Sequence, residues 1–540
     1  NVTTRSLVPS GSRTMVVVFQ VIAILILFLA CINFANLATT AAMRRGKDVG
    51  VRKAIGASKW QLVGQYLTES TVITAVAAII GVLATYVCLP WFNQLMNVSI
   101  ELTFGSSMLI KLLTLTLLVG VLAGSYPAFY LSNLSPALVL KGVVGTSRLN
   151  LHLRQLLIVT QFAVAAFLLV ASLVVNWQMN YVQDMPKGYD KEGVIIVNWG
   201  ADIYNAFKSR AMLHSHVASV TMSHTVPTKA TRTSQTVRNL NQPNNEIWVG
   251  SNPVSYDYFT TFGIKVIAGR DFSKAYVNDA YVEDENDVTK SKGKIIVNQT
   301  LANTLGWQPE QAVGKTITLG NINEGLHDHQ IIGVTKDSHY INAKNTVPPM
   351  IYVLSNEPQD LSLRWLSIKL KQGSNIASLK ELENIWLSLN NNLAFKYDWL
   401  TDLFDASYRN ENLQTQLLNV FTILAFTITT IGLIGLAAYT TERRVKEIAI
   451  RKILGASDGQ LCLLLINQFT LLIVIANAFA LPFTYWQISD WLNNFIYRIE
   501  IPKMVFVFGL TISLVIAYLS ILSIAYRAVN SKPVDALANE

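Results

Sequence analysis

RRGKDVGVRKAIGAS, residues 44–58, recurs as RRVKEIAIRKILGAS at residues 443–457. The offset between matched positions is constant, and each copy follows one long apolar segment and precedes another. Gly56 and Gly455 stand where a helix would end, because glycine tolerates the left-handed turn that stops a helix. We therefore predict that each copy forms a short basic helix followed by a tight corner and a second helix.

A capping box is predicted directly after each glycine. Ser58 and Ser457 are suited to cap the helix that follows, with Gln61 and Gln460 three residues further on. We call the first helix, its corner and this cap an elbow. A single copy could equally be a solvated basic loop that obeys the positive-inside rule. Two copies that agree in the apolar positions, the acid, the glycine and the cap favour a docking element.

The composition predicts a membrane protein. The chain is 51% hydrophobic and only 14% charged, with a mean hydropathy of +0.35, whereas soluble domains carry about 25% charged residues. The net charge of +9 could suggest nucleic acid as a partner. However, residues 178–414 contain slightly more acids than bases, and the basic excess lies beside apolar segments, as membrane orientation requires. This distribution argues against nucleic acid.

Seven apolar segments are long enough to cross a bilayer, which takes about 20 residues. If they alternate in direction, every short loop rich in Lys and Arg falls on one side, which is a strong orientation signal. Four spans separate equivalent points of the two copies, so the repeats are parallel rather than inverted. The predicted spans are 15–42, 62–89, 108–131, 155–177, 417–439, 461–481 and 504–526.

The spans divide the chain into six predicted parts. The second half has one helix and one external domain more than the first, so we expect that an amino-terminal portion is missing from this sequence. The parts are an extracytoplasmic stub (1–14), a first transmembrane domain (15–131), a cytoplasmic linker (132–154), a transmembrane helix (155–177), an extracytoplasmic domain (178–414) and a second transmembrane domain with a cytoplasmic tail (415–540).

Some polar and small residues inside the spans have predicted packing roles. Asn33 and Asn36 lie one turn apart, and we expect such residues to bond a neighbouring helix rather than a substrate. Gly120 and Gly124 have the spacing that lets helix backbones approach closely.

The extracytoplasmic part is predicted to be an α+β domain, because β-branched runs bounded by Gly, Pro or Asn alternate with helical segments. The acid-rich segment Phe272–Ser291 is expected to be a mobile insertion. Asp402–Leu418 is expected to be an unbroken helical stalk that continues into the next span. The strand candidates are 194–197, 218–222, 246–249, 264–267, 294–297, 316–319, 330–334, 350–354 and 365–370.

The elbows resemble the cytoplasmic elbow of MacB/FtsX-type ABC transporter permeases, where the permease touches its ATPase. Four phrases between strands are similar to the MacB-type periplasmic domain: GRDF at 269–272, VNQT at 297–300, GK at 314–315 and IGVTKD at 332–337. The resemblance implies a polytopic α-helical membrane protein with two parallel FtsX-like repeats and one α+β extracytoplasmic MacB-like domain.

The resemblance also implies a function. The chain would be a permease subunit that couples ATP hydrolysis by a separate ATPase to movement of its periplasmic domain, a process called mechanotransmission, for export or extraction of a substrate. It would lie in the inner membrane, with two copies of the ATPase carrying ATP and Mg²⁺, a periplasmic adaptor and membrane lipids as partners. The alternative is an FtsX-like scaffold or signalling subunit that regulates a periplasmic partner such as a cell-wall enzyme.

Specific roles follow for the elbow residues. Asp48 and Glu447 are expected to meet basic residues of the ATPase. The alternative is that Arg52 and Arg451 bind acids of the ATPase or phospholipid headgroups. The apolar residues would fill a groove, as a buried anchor inside a charged rim does. The predicted coupling set is Lys47, Asp48, Val51, Arg52, Lys53, Ile55 and Gly56 in the first elbow and Lys446, Glu447, Ile450, Arg451, Lys452, Leu454 and Gly455 in the second.

The sequence contains no motif for nucleotide hydrolysis or metal binding. No phosphate loop of the form GxxxxGK[ST] occurs, and GKT at 314–316 has Pro309 where the first glycine would stand. His327 and His329 form a close pair without a third ligand, so we expect no metal site. No nucleophile motif or paired-carboxylate site is recognisable. We therefore expect no cofactor and no catalytic residue, and ATPase activity only on a partner chain.

Overall fold

The structure is a computed structural model that describes residues 13–529 except 45, 97–98, 133–147, 199–202, 230–233, 240–241, 281–292, 322–324, 341–345, 356–362, 374–375 and 390–392. It divides into two compact units. The first, the membrane unit, contains the described residues within 1–179, 411–492 and 499–540. The second, the external unit, contains residues 180–410 and 493–498.

The helices of the described residues are named in chain order. They are α1 (Arg13–Arg44), α2 (Gly46–Ala54), α3 (Lys59–Met96), α4 (Ser106–Ser132), α5 (Arg148–Asp184), α6 (Tyr204–Ala211), α7 (Tyr258–Phe262), α8 (Gln299–Thr304), α9 (Pro309–Ala312), α10 (Ile376–Leu389), α11 (Leu400–Ser407), α12 (Arg409–Arg443), α13 (Val445–Ile453), α14 (Asp458–Leu492) and α15 (Met504–Val529).

The strands are named in the same way. They are β1 (Val194–Asn198), β2 (Val217–Ser223), β3 (Ser234–Asn239), β4 (Gln242–Val254), β5 (Val266–Gly269), β6 (Lys294–Asn298), β7 (Thr316–Asn321), β8 (Gly325–Thr335), β9 (Met350–Leu354), β10 (Trp365–Leu370) and β11 (Tyr397–Trp399).

Seven helices of the described chain are long and apolar enough to cross a membrane: α1, α3, α4, α5, α12, α14 and α15. Each contains one predicted span, and most extend well beyond it. α5 begins at Arg148 and therefore includes the end of the segment 132–154, which was predicted to be a linker. Helices α3, α4 and α14 continue through Pro90, Pro127 and Pro482.

The first repeat packs α4 closely against α3. A Cβ atom on Gly120 would lie 2.9 Å from the Cα atom of Thr71, and one on Gly124 would lie 2.6 Å from the Cβ atom of Ser70. Both distances are too short for a real side chain, so the two glycines are what allow this approach. This is the close contact that the glycine spacing predicted.

The second repeat has a continuous apolar core. Ile158 and Phe162 of α5 pack with Leu433 of α12, Phe469 of α14 and Ala517 of α15. A polar seam also joins α5 to α12: Asn176 Nδ2 donates to Asn419 Oδ1 at 2.8 Å, and Ser172 Oγ donates to the same oxygen. The chain leaves the membrane unit along α5 and returns to it along α12, so the seam fastens these two connecting helices.

The external unit contains one sheet of 11 described strands. Strands β11, β1, β10 and β2 pair antiparallel, and α6 and α10 contribute to the core on them through Phe207 and Trp386. Strands β4, β3, β7, β8, β6 and β9 follow in order, and β9 pairs back to β4, so these six strands close on themselves. The predicted α+β class is confirmed.

Gly269 and Asn298 belong to the phrases that resemble the MacB-type periplasmic domain, and both have structural roles. Gly269 has a φ of +74°, and its Cα lies so close to the Ile332 carbonyl that no side chain fits, which lets β5 pair with β8. Asn298 Oδ1 accepts hydrogen bonds from the amides of Leu301 at 3.0 Å and Met350 at 2.9 Å. It therefore caps α8 and also fixes the start of β9.

The segment predicted as a mobile insertion is ordered in its first part. Phe272 is buried, and the Asp279 side chain is fully buried in an ion pair with Arg270. That prediction is therefore wrong for residues 272–280, because an acid-rich sequence does not reveal the cation that pairs with it. Residues 281–292 lie outside the described residues.

The predicted stalk is not one helix. It divides at Tyr408 between α11 and α12, where Tyr408 has a φ of −107° and a ψ of 7°. Tyr408 is 5% exposed, and its ring lies 5.0 Å from that of Phe404. Burial of this ring accompanies the interruption, which the helical pattern of the sequence did not indicate.

Candidate functional site

The two elbows end their short helices in the same way. In the first, the amide of Gly56 donates to the Lys53 carbonyl at 3.1 Å and that of Ala57 to the Arg52 carbonyl at 3.0 Å. Gly56 and Gly455 have φ values of +106° and +94°, and a Cβ atom on either would meet nothing within 4 Å. Glycine is therefore favoured here by backbone conformation rather than by lack of space.

The second corner repeats these bonds. The amide of Gly455 donates to the Lys452 carbonyl at 3.1 Å, and that of Ala456 donates to the Arg451 carbonyl at 3.0 Å. Both corners thus satisfy carbonyl groups that the end of a helix leaves free.

A reciprocal capping box follows each corner. Gln61 Oε1 accepts from the Ser58 amide at 2.9 Å, while Ser58 Oγ accepts from the Gln61 amide at 3.3 Å. The corresponding distances for Ser457 and Gln460 are 3.1 and 3.3 Å. Each elbow is therefore held by local hydrogen bonds on both sides of its corner, which makes it a stiff connection between two helices.

Each elbow helix is buried on one face. Val49 is 2% exposed, and Ile448 and Ala449 are each 5% exposed. Ile448 packs with Leu461 of α14 and Ala525 of α15. This face anchors the second elbow to the helices of its own repeat.

The opposite face of each elbow exposes apolar side chains. Val51 and Ile55 are 46% and 81% exposed, and their counterparts Ile450 and Leu454 are 51% and 80% exposed. All four were predicted to contact a partner. Exposed aliphatic groups beside charged side chains are typical of a docking surface with an apolar anchor. We call Val51, Ile55, Ile450 and Leu454 the elbow anchors.

Two basic residues of the first elbow have partners within the chain. Arg52 Nη1 donates to Gln65 Oε1 at 3.0 Å, and Lys53 Nζ donates to the Ser132 carbonyl at the end of α4 at 2.6 Å. Burial, and after it the charge of Lys59, lowers the pKa of Lys53. Asp48 is exposed. The side chains of Lys47 and Lys446, which were also predicted, lie outside the described residues.

The second elbow has different ionic contacts. Glu447 and Arg451 pair with each other at 2.7 Å, and Lys452 pairs with Asp458 at 3.0 Å. Both side chains of the first pair are nearly half exposed. Such pairs contribute only about 0.2–1 kcal/mol, so they can open when a partner binds.

Sequence reasoning missed the internal partners of the first elbow. Neither Ser132 nor Gln65 belongs to a sequence motif. Both approach the elbow only because α4 and α3 pack beside it. The ring of Trp60 meets that of Phe129 on α4 edge-on, with centroids 6.4 Å apart. An aromatic pair of this geometry further ties the first corner to α4.

His327 and His329 of the histidine pair lie on strand β8. His329 Nδ1 bonds the Gly293 carbonyl at 3.0 Å, and burial lowers the pKa of His329. Within the described ranges, no group of three or more His, Cys, Asp or Glu residues could hold a metal ion.

Two family models match the chain. The model described as FtsX-like permease C-terminal matches residues 20–136 and again residues 419–533, so it fits both repeats. The model described as MacB-like periplasmic core domain matches residues 160–384. The two matches of the FtsX-like model include both elbows. The match of the MacB-like model includes most of the external unit.

Several curated relatives are similar over part of their length. A macrolide export ATP-binding/permease protein MacB from Campylobacter jejuni is 28% identical over 134 residues, which is 25% of this chain and 21% of the relative. A protein of the same name from Bdellovibrio bacteriovorus is 31% identical over 134 residues, or 24% of this chain and 19% of the relative. The chain thus matches only about a fifth of the length of these relatives.

A solved structure is also similar to part of the chain. It is the periplasmic region of MacB from Actinobacillus actinomycetemcomitans, which is 14% identical. The match covers 42% of this chain and 96% of that one, with a TM-score of 0.29.

Proposed function

Because the chain belongs to the MacB/FtsX type of ABC transporter permeases, we propose that it is the permease subunit of a transporter whose ATPase is a separate polypeptide. ATP hydrolysis on that partner would move the elbows, and the connecting helices would pass this movement to the external domain. The substrate would be exported or extracted, and this mechanism does not require it to pass between the spans.

The exposed elbow anchors carry this proposal. Each elbow offers two large aliphatic side chains at matched positions of its repeat. One chain thus carries two equivalent pairs of anchors, one pair on each elbow. This arrangement fits two copies of an ATPase better than one copy. The acids Asp48 and Glu447 beside them would pair with basic groups of that partner and orient the contact.

The construction of the elbow supports force transfer. The glycine corner and capping box leave no loose loop between α2 and α3 or between α13 and α14. A push on a short helix would therefore reach the span that follows it. The seam formed by Asn176 and Asn419 would make α5 and α12 respond as one element.

The partners and location form part of the proposal. The sequence lacks a phosphate loop, so ATP and Mg²⁺ would bind the partner ATPase. The chain would lie in the inner membrane, with its large domain on the periplasmic side. A periplasmic adaptor and membrane lipids would be further partners, and the name of the curated relatives makes an export role the first one to test.

The test uses the full chain purified in detergent with the ATPase that co-purifies with it. The double variant Asp48→Ala/Glu447→Ala should lose co-purification and stimulation of ATP hydrolysis, because both elbows lose the acid beside their anchors. Glu310→Ala/Glu383→Ala removes the same charge from exposed positions of the external unit and should change neither. Unchanged binding and stimulation in the elbow variant would reject the assignment.

A further inference from the structure

Helices α1 and α12, which lead into the two elbows, touch at Asn33 and Gly432. Asn33 Nδ2 donates to the Ile428 carbonyl at 3.2 Å. The Asn33 side chain lies directly over Gly432, where a Cβ atom would overlap its amide oxygen. Leu37 lies over Gly435 in the same way. These two glycines are therefore the surface onto which α1 packs.

Asn33 and Gly432 occupy the same position in the two repeats. The constant offset that aligns RRGKDVGVRKAIGAS with RRVKEIAIRKILGAS also aligns Asn33 with Gly432 and Leu37 with Leu436. Equivalent positions that face each other mark a pseudo-two-fold contact, as at the axis of an isologous dimer. Here the two positions are unlike, with an amide in one repeat and only backbone in the other.

A third helix completes the contact. Gln161 of α5 is 3% exposed, and its Nε2 atom lies 3.1 Å from the position that a Cβ of Gly432 would take. Across the described residues, neither Gln161 Nε2 nor Asn33 Oδ1 has a hydrogen-bond partner. A donor, Gln161 Nε2, and an acceptor, Asn33 Oδ1, thus both lie beside Gly432 without a hydrogen bond. In an apolar environment a buried polar atom without a partner costs free energy.

We propose that Asn33 and Gly432 specify pairing of the first repeat with the second repeat of the same chain rather than with a second copy. Two second repeats would set glycine against glycine, with no amide to fill the contact or to donate to the Ile428 carbonyl. Two first repeats would set asparagine against asparagine, with no glycine to make room. The proposal depends on the repeats alone and not on ATPase binding.

A disulfide reporter measures this pairing in the full chain. The rings of Phe19 on α1 and Phe421 on α12 face each other with centroids 6.4 Å apart, so Phe19→Cys with Phe421→Cys is the reporter pair, and the rate of its oxidation to an intrachain disulfide is the measurement. The natural cysteines Cys31, Cys88 and Cys462 are first replaced by alanine. A protease site inserted in the exposed turn at Gly373 then separates the two fragments unless the disulfide holds them together.

Exchanging the two residues is the decisive variant. Asn33→Gly should slow cross-linking roughly threefold by removing an interhelical hydrogen bond, and Gly432→Asn should slow it roughly tenfold by overpacking. The double exchange Asn33→Gly/Gly432→Asn should recover to within roughly twofold of the original rate, because the amide again meets a glycine. With Phe421→Cys alone, Asn33→Gly should also increase disulfide-linked dimers of two copies.

The matched control is Asn36→Gly/Gly435→Asn, which exchanges another aligned pair. It should not recover, because Gly435 faces Leu37 and not Asn36. A double exchange at 33 and 432 that stays as slow as Gly432→Asn alone would overturn the proposal, and so would equal recovery in the control. If Gly432→Asn fails to accumulate in membranes, accumulation of the double exchange is the readout, and its continued loss also overturns the proposal.

Discussion

The ammonium group of Lys53 donates a hydrogen bond to the carbonyl oxygen of Ser132 at 2.6 Å and thereby ties the first elbow to the last turn of α4. A cation at the end of a helix is favourable because it meets the negative end of the helix dipole. The counterpart Lys452 instead pairs with Asp458 of its own corner. Aligned lysines therefore restrain the two elbows differently.

Removing the two lysines should have unequal effects. Lys53→Met should raise hydrogen exchange of the α2 amides roughly fivefold, since it removes a hydrogen bond from a charged donor to the neighbouring helix. Lys452→Met should change exchange in α13 by less than about twofold, because a partly exposed ion pair within one corner contributes little. The measurement is hydrogen exchange on the full chain in detergent. Equal effects in the two helices would contradict this account.

Charging the elbow anchors should abolish coupling without unfolding the chain. Ile55→Asp with Leu454→Asp should weaken ATPase co-purification at least tenfold, as expected for anchor residues. The change in stability should stay within about 0.5 kcal/mol, because both side chains are largely exposed. Leu213→Asp, at an 85% exposed position of the external unit, is the control. Retained ATPase stimulation in the elbow variant would count against the anchors.

The sequence predicted features that depend on local interactions. The corners at Gly56 and Gly455 and the caps at Ser58 and Ser457 involve residues three or four apart, so their pattern is visible in the chain itself. The exposure of the elbow anchors was predictable for the same reason, because the anchors belong to the same short helices and corners. Asn33 was also correctly expected to bond a neighbouring helix, although the sequence did not reveal that its neighbour would be Gly432.

The features that the sequence did not predict depend on distant partners. Strand β3 is polar, and it forms a strand because β4 and β7 pair with it on both sides. Strand β11 has only three residues and pairs with β1. Lys53 was assigned to a partner protein because its bond to Ser132 requires α4 to pack beside the elbow. Tertiary contacts override local preference in each case.

The buried ion pair of Asp279 should be sensitive to loss of its main partner. Arg270 binds the carboxylate with both terminal nitrogens, at 2.5 and 2.8 Å, whereas Lys294 lies 3.7 Å away. Arg270→Met should destabilise the external unit by ~3 kcal/mol, because it leaves a buried charge without its close partner. Lys294→Met should cost clearly less. Hydrogen exchange of β6 and β8 in the full chain measures both, and equal costs would contradict the assignment.

The carboxyl group of Asp271 should make the stability of the external unit depend on pH. Burial is the main cause that raises its pKa from 3.8 to about 6, Asp257 raises it further, and the Phe272 amide, which donates at 2.6 Å, opposes the shift. Because the pKa is higher in the folded state, the protonated form stabilises the unit. That contribution is complete below the unfolded pKa and is lost as the pH rises through about 6.

Asp271→Asn should therefore stabilise the unit at pH 7 and leave it unchanged near pH 4. After allowance for solvent screening at this partly exposed site, the gain is ~1 kcal/mol. Asp257→Asn removes the second cause and should move the midpoint of the transition to lower pH. The measurement is hydrogen exchange of β5 and β8 in the full chain, corrected for the intrinsic effect of pH. A difference that stays constant from pH 4 to pH 7 would show that Asp271 does not titrate in this range.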